Sequence, residues 1–164
     1  MFDLAIVETG SGGDIQILGN DLAVVTGIEN MAYLGMFGGN IEQSTVDNVT
    51  NEFSKDWWGN NLLMKSDPSI QMNSTVERTL NNTPLTSSGR LTIENAIKYD
   101  LIFLEKVIGT KIEVSVFIIS DDRVDVILKM NLLKETKITV IKFKRQADGD
   151  FSIFDFNSDF YNIV

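Results

Sequence analysis

Apolar and polar positions divide the chain into stretches of different periodicity. Strand-like runs come first, at Phe2–Val7, Ile15–Leu18 and Leu22–Val25, separated by the turn signals Thr9-Gly10-Ser11-Gly12-Gly13 and Gly19-Asn20-Asp21. They predict a small β-meander, and no internal repeat or interdomain linker is evident in the chain. Thr26 followed by Glu29 then has the spacing of a capping box. Behind it Ile28, Met31, Leu34 and Phe37 form an apolar helical face, which Gly38-Gly39-Asn40 ends.

From Ile41 to Ser66 the chain has little periodicity and is rich in Asn, Ser and Thr. Asp67-Pro68 reads as a helix start, with Ser74 and Glu77 as a second start in the same stretch. Met72, Val76 and Leu80 recur at helical spacing before Asn81-Asn82-Thr83-Pro84 closes the segment. After a loop at Thr86-Ser87-Ser88-Gly89, one longer helix is expected from about Arg90 to Val107. Its stripe is Ile93, Ala96/Ile97, Leu101, Leu104 and Ile108, and Gly109 terminates it.

The last third alternates with period two, as a half-buried strand does. Ile112, Val114, Val116 and Ile118 make one strand, and Val124, Val126, Leu128 and Met130 the next. Thr136–Phe143 makes a third, and Asp148-Gly149 turns into Phe151–Phe156. The expected class is α+β: an N-terminal β-meander and about three helices packed on an antiparallel sheet from the C-terminal third. At 164 residues one domain over 1–164 is expected, with 148–164 a candidate docking tail because its aromatics are dense for an exposed end.

Composition narrows the chemistry. Cysteine and histidine are absent, which removes thiolate nucleophiles, zinc–thiolate sites and the usual general base. No apolar run reaches the roughly eighteen residues of a membrane span. Met1-Phe2-Asp3 is acidic where a secretory signal is basic, so synthesis in the cytoplasm without export is expected. The glycine-rich loop lacks the Gly-Lys-Ser/Thr ending of a phosphate cradle, and the acidic run from Asp148 has Ile153 where a calcium loop needs glycine. Neither cofactor nor metal is expected.

Net charge is −9, and it is unevenly spread. Met1–Ser54 holds no Lys or Arg, while Lys129, Lys134, Lys137, Lys142, Lys144 and Arg145 cluster late. Such a balance disfavours nucleic acid, and it suits charge-steered contacts between subunits as well as ordinary solvated faces. The candidate interface residues are Trp57, Trp58, Asn60, Lys142, Lys144, Arg145, Phe160 and Tyr161. For the tryptophans and the C-terminal aromatics, core and interface readings both stand. Carboxylates are plentiful, but Glu94 and Asp100 read as the solvated face of a helix and Glu52 and Asp56 as loop residues.

Three segments together resemble a known family. They are Gly13-Asp14-Ile15 through Gly19-Asn20-Asp21-Leu22 with the helix end Tyr33-Leu34-Gly35-Met36-Phe37-Gly38-Gly39-Asn40; Asp56-Trp57-Trp58-Gly59-Asn60; and a long amphipathic helix running into alternating strands. Their order resembles the wedge subunits of contractile phage tail baseplates: the Mu-like baseplate protein, the W protein of P2-like phages and the T4 baseplate-wedge family described as lysozyme-like. The Glu-Pro-Arg motif of the T4-type members is missing, since Glu77-Arg78 lacks the proline, so the resemblance is nearer the Mu-like branch. It implies a non-enzymatic structural subunit of the virion tail, assembled in the host cytoplasm. Its partners would be wedge, tube or sheath-proximal subunits, with multiple copies in a six-fold assembly. The alternative is a lysozyme-like carboxylate glycosidase acting on peptidoglycan.

Overall fold

The computed structural model describes residues 2–8, 13–26, 28–38, 60, 72, 74–109, 111–132, 135–147 and 149–162. Its largest element is a four-stranded antiparallel sheet in the order β10-β9-β8-β7, built from β7 (Ile112–Ser120), β8 (Arg123–Asn131), β9 (Glu135–Arg145) and β10 (Phe151–Asn162). The period-two pattern explains its single core. Val114, Val116, Val124, Val126, Leu128, Met130, Ile141 and Phe143 all point to one face and are buried there. The candidate docking tail is the edge strand β10, paired with β9 from Phe151–Arg145 to Asn162–Glu135.

Among the described residues four helices contribute to the other layer: α1 (Ile28–Phe37), α2 (Val76–Asn82), α3 (Ser87–Asp100) and α4 (Ile102–Ile108). The expected long helix is two, because the chain leaves helical geometry at Leu101, with φ −92° and ψ 1°. It also starts earlier than Arg90. Thr86 is the N-cap, its Oγ1 accepting from the Gly89 N–H at 3.1 Å, so the Ser-Ser-Gly expected as loop is the first turn of α3. The predicted stripe holds, with Ile93, Ile97, Leu101 and Leu104 at most 1% exposed. Val76 and Leu80 are buried on α2 as their spacing predicts; Met72 is buried too but precedes the helix, which begins at Val76, and Asp67-Pro68 lies outside the described residues, while Gly109 ends α4 at φ 70°.

The buried face of α1 differs from expectation. Ala32, Tyr33 and Met36 are buried, whereas Met31, Leu34 and Phe37 are only partly so. This helix is apolar on nearly every side, so periodicity alone does not single out a face. Its packing is set by neighbours: Phe37 meets Phe143 of β9 at 5.8 Å between ring centroids, and Gly35 lies directly beneath the Phe103 ring of α4.

Candidate interaction surface

The N-terminal strands form a closed three-way junction. The chain carries one pentapeptide pattern three times: Asp3-Leu4-Ala5-Ile6-Val7, Asp14-Ile15-Gln16-Ile17-Leu18 and Asp21-Leu22-Ala23-Val24-Val25. In each copy the aspartate Oδ1 accepts from the next residue's N–H, at 2.9, 2.7 and 2.8 Å respectively. The third residue of each copy is a corner. Ala5 N–H donates to Ala23 C=O at 2.8 Å, Ala23 N–H to Gln16 C=O at 2.9 Å, and Gln16 N–H to Ala5 C=O at 2.9 Å.

From this hydrogen-bonded triangle three two-stranded ribbons radiate. They are β1 (Phe2–Leu4) with β6 (Val24–Thr26), β2 (Ile6–Glu8) with β3 (Gly13–Ile15), and β4 (Ile17–Leu18) with β5 (Asp21–Leu22). Each strand changes partner at its corner residue, and the cyclic bonds supply partners for the backbone groups that such a switch would otherwise orphan. The three expected strands are therefore present, and the first and last also pair with each other. The absence of an internal repeat is corrected. The copies begin at 3, 14 and 21, an unequal spacing that a search for a fixed period passes over.

Two corners are alanine because their side chains are enclosed: Ala5 is 4% and Ala23 7% exposed. The flanking positions carry aliphatic groups with no cover. Ile17 is 66% exposed, Leu18 63%, Val24 58%, Ile15 and Leu22 47% and Leu4 37%. Isolated exposed aliphatics are ordinary, but six of them between residues 4 and 24, on the ribbons of one junction, make this region a candidate interaction site. Asp3, Asp14 and Asp21 lie among them, in a stretch that has no cation in its sequence.

The junction is anchored to the helical layer at one corner. The buried Asn30 of α1 straddles Ala5, its Nδ2 donating to Leu4 C=O and its Oδ1 accepting from Ile6 N–H at 3.4 Å. Ile6 packs against the main core, and β2 lies on β10. The β4–β5 ribbon, closed by Gly19 at φ 65°, holds three of the six exposed aliphatics.

The residues singled out from sequence are placed differently. Trp57 and Trp58 lie outside the described residues. Asn60 is buried, and its amide is engaged inside the fold, donating to Met72 C=O at 2.7 Å and accepting from Met72 N–H at 2.9 Å. The basic cluster disperses across both faces of β9. Lys137 is fully buried, Lys142 pairs with Asp155 at 2.5 Å, Arg145 stacks over Phe151 at 4.7 Å, and Lys144 is exposed. Phe160 and Tyr161 sit on β10 opposite Lys137 and Thr136.

The carboxylates also need correction. Asp100 is no solvated helix residue: it is 1% exposed and accepts from Thr75 N–H at 2.6 Å, Thr75 Oγ1 at 2.9 Å and Val76 N–H at 2.9 Å. Glu94 does lie toward solvent, where Lys98 Nζ at 2.6 Å and Arg90 Nη1 at 2.8 Å both donate to it. The Lys98 hydrogen bond, with the charges of Lys98 and Arg90, holds its carboxyl below the ordinary glutamate range. Glu52 and Asp56 lie outside the described residues. Among those described, no three acidic side chains gather closely enough to hold a metal ion, and no helix is long and apolar enough to cross a membrane.

Comparison of the chain with family models, with curated proteins and with solved structures returns no match.

Proposed function

We propose that this chain is a structural subunit of a contractile phage-type tail baseplate, joining the inner baseplate to tube-, sheath- and wedge-proximal partners within the virion tail. The reading rests on the resemblance of the three sequence segments. The observation that supports it is the set of exposed aliphatic side chains on the three-way junction, which burial by another protein would take out of water. The first resembling segment, Gly13-Asp14-Ile15 through Leu22, contains the free β4–β5 ribbon and most of those side chains.

The glycosidase alternative draws less support. A retaining or inverting glycosidase needs one carboxylic acid kept protonated near neutral pH. Glu94 is biased the opposite way by its two cations, and Asp100 already serves as a hydrogen-bond acceptor to a helix end.

The test mixes the purified chain with candidate wedge, tube and sheath-proximal subunits and looks for a stable complex by size-exclusion chromatography. Ile17→Asp with Leu18→Asp abolishes that complex while circular dichroism stays unchanged, because both side chains are exposed in the free chain. Failure to bind any such subunit, or peptidoglycan clearance that a carboxylate-to-amide change stops without unfolding, overturns the reading.

A further inference from the structure

The registers of the three short ribbons put six aliphatic side chains into one closed ring. Beside each corner the first cross-strand pair is aliphatic on both strands: Leu4 with Val24, Ile6 with Ile15, and Ile17 with Leu22. Paired residues of a ladder share a face, and so do residues two apart along an extended strand. Leu4 and Ile6, Ile15 and Ile17, and Leu22 and Val24 are each two apart across a corner. The six positions therefore follow one another around the hydrogen-bonded triangle, on the side away from the enclosed Ala5 and Ala23. Exposure agrees. Each corner residue is less exposed than both its neighbours, and of the six only Ile6 packs against the main core.

The second pair on each ribbon carries an aspartate: Asp3 with Val25, Asp14 with Val7, and Asp21 with Leu18. An aliphatic centre is thus bordered by one carboxylate on each arm. On α3 and the main sheet, Glu94, Glu113, Asp125 and Asp155 each meet a Lys or Arg at 3.4 Å or less. Among the described residues no cation pairs in this way with Asp3, Asp14 or Asp21, whose Oδ1 atoms instead accept from backbone N–H groups.

We propose that the ring is the apolar centre of a docking surface with the three aspartates as its rim, and that its partner is a protein surface whose own apolar centre is bordered by Lys or Arg. Interfaces place a desolvated apolar core inside a polar rim, and the rim charges choose the partner by complementarity. The same carboxylates disfavour a second copy of this ring. Stacking ring on ring would set aspartates against aspartates, in a stretch that has no Lys or Arg to offset them. The partner's chemistry rests on the reading of the junction as the docking face of a tail subunit, but its test needs no tail protein, so either can fail alone.

The probes are two short peptides, one alternating Leu with Lys and one alternating Leu with Glu, titrated into the full isotope-labelled chain. The Leu–Lys peptide should shift the amide resonances of residues 3–7, 14–18 and 21–25, and the Leu–Glu peptide should not. Asp3→Asn with Asp14→Asn and Asp21→Asn should weaken that binding about tenfold, because Asn keeps the oxygen that accepts from the next N–H and loses only the charge. Glu113→Gln with Asp121→Asn and Asp122→Asn removes as many charges at exposed positions of β7 and the turn after it, and should leave the affinity within about twofold. Ile17→Ser with Leu22→Ser should weaken binding through lost apolar contact. No binding of the Leu–Lys peptide at millimolar concentration, equal binding of the two peptides, shifts confined to residues outside the junction, or equal losses in the two charge variants would each overturn the proposal. So would a dimer in sedimentation velocity that the Ile17 and Leu22 changes dissolve, since a second copy would then occupy the ring.

Discussion

The Asp100 carboxylate caps the helix that begins at Val76, twenty-four residues earlier in the chain. Its Oδ2 accepts from Val76 N–H at 2.9 Å and from Thr75 N–H at 2.6 Å, while Thr75, the residue in the cap position, makes no capping bond with its own side chain. A buried helix start needs acceptors for its first N–H groups, and an anion there also opposes the positive end of the helix. The bond therefore ties α2 to the end of α3, where the chain breaks at Leu101. Asp100→Ala should cost about 3 kcal/mol, because the buried donors lose their partner. Asp100→Asn should cost less, keeping one acceptor oxygen. Urea unfolding measures both, and a loss below about 0.5 kcal/mol for the alanine variant would contradict the capping role.

Gly35 is required by a close helix approach. A Cβ at this position would stand 2.5 Å from Phe103 Cε1, so Gly35→Ala should destabilise by about 1–3 kcal/mol through overpacking of α1 on α4. Combining it with Phe103→Leu should recover part of the loss. An additive double variant in thermal unfolding would show that the two residues do not compete for this space.

Asn30 holds the three-way junction to the helices. Asn30→Ala leaves Leu4 C=O and Ile6 N–H without this partner and should cost about 1–2 kcal/mol. The effect should be local: hydrogen exchange at Ala5, Gln16 and Ala23 should accelerate, while the amides of β8 and β9 keep their protection. Uniform acceleration across both regions would mean that the junction unfolds only with the rest of the domain.

The Arg90–Glu94–Lys98 triad should make α3 sensitive to acid. The folded-state pKa of Glu94 is lowered, so its contribution is complete above the unfolded-state value and is lost as pH falls through the folded-state value. The pairs are solvent-accessible i, i+4 contacts, which limits each to about 0.3–0.5 kcal/mol. Glu94→Gln should lower stability by under about 1 kcal/mol at neutral pH and flatten the decline on acidification. Urea midpoints across the acidic range provide the measurement.

Much of the architecture was legible from spacing. The strands of the main sheet, the core stripe of α3 and α4 and the stop at Gly109 follow from period two, period 3.6 and glycine's tolerance of positive φ. The start of α3 was legible too, in Thr86, yet the following Ser-Ser-Gly has the composition of a loop and concealed the first turn. The junction was written in the sequence as three Asp-aliphatic pentapeptides, masked by unequal intervals. By contrast, nothing local marks Asp100 as a buried cap, since its donors lie on another helix.

By itself the sequence determined which positions along each strand share a face, and it supplied a first third without cations and a chain without histidine or cysteine. These are properties of spacing and composition, which exist before folding. The tertiary structure alone decided which aliphatic positions remain uncovered. Ile6 and Ile17 occupy the same place in their pentapeptides, but Ile6 packs against the core while Ile17 is 66% exposed, because β2, which carries Ile6, lies on β10 of the main sheet. It likewise divided the basic strand between a buried Lys137 and an exposed Lys144, since a helix layer covers one face of the sheet and burial depends on what lies opposite.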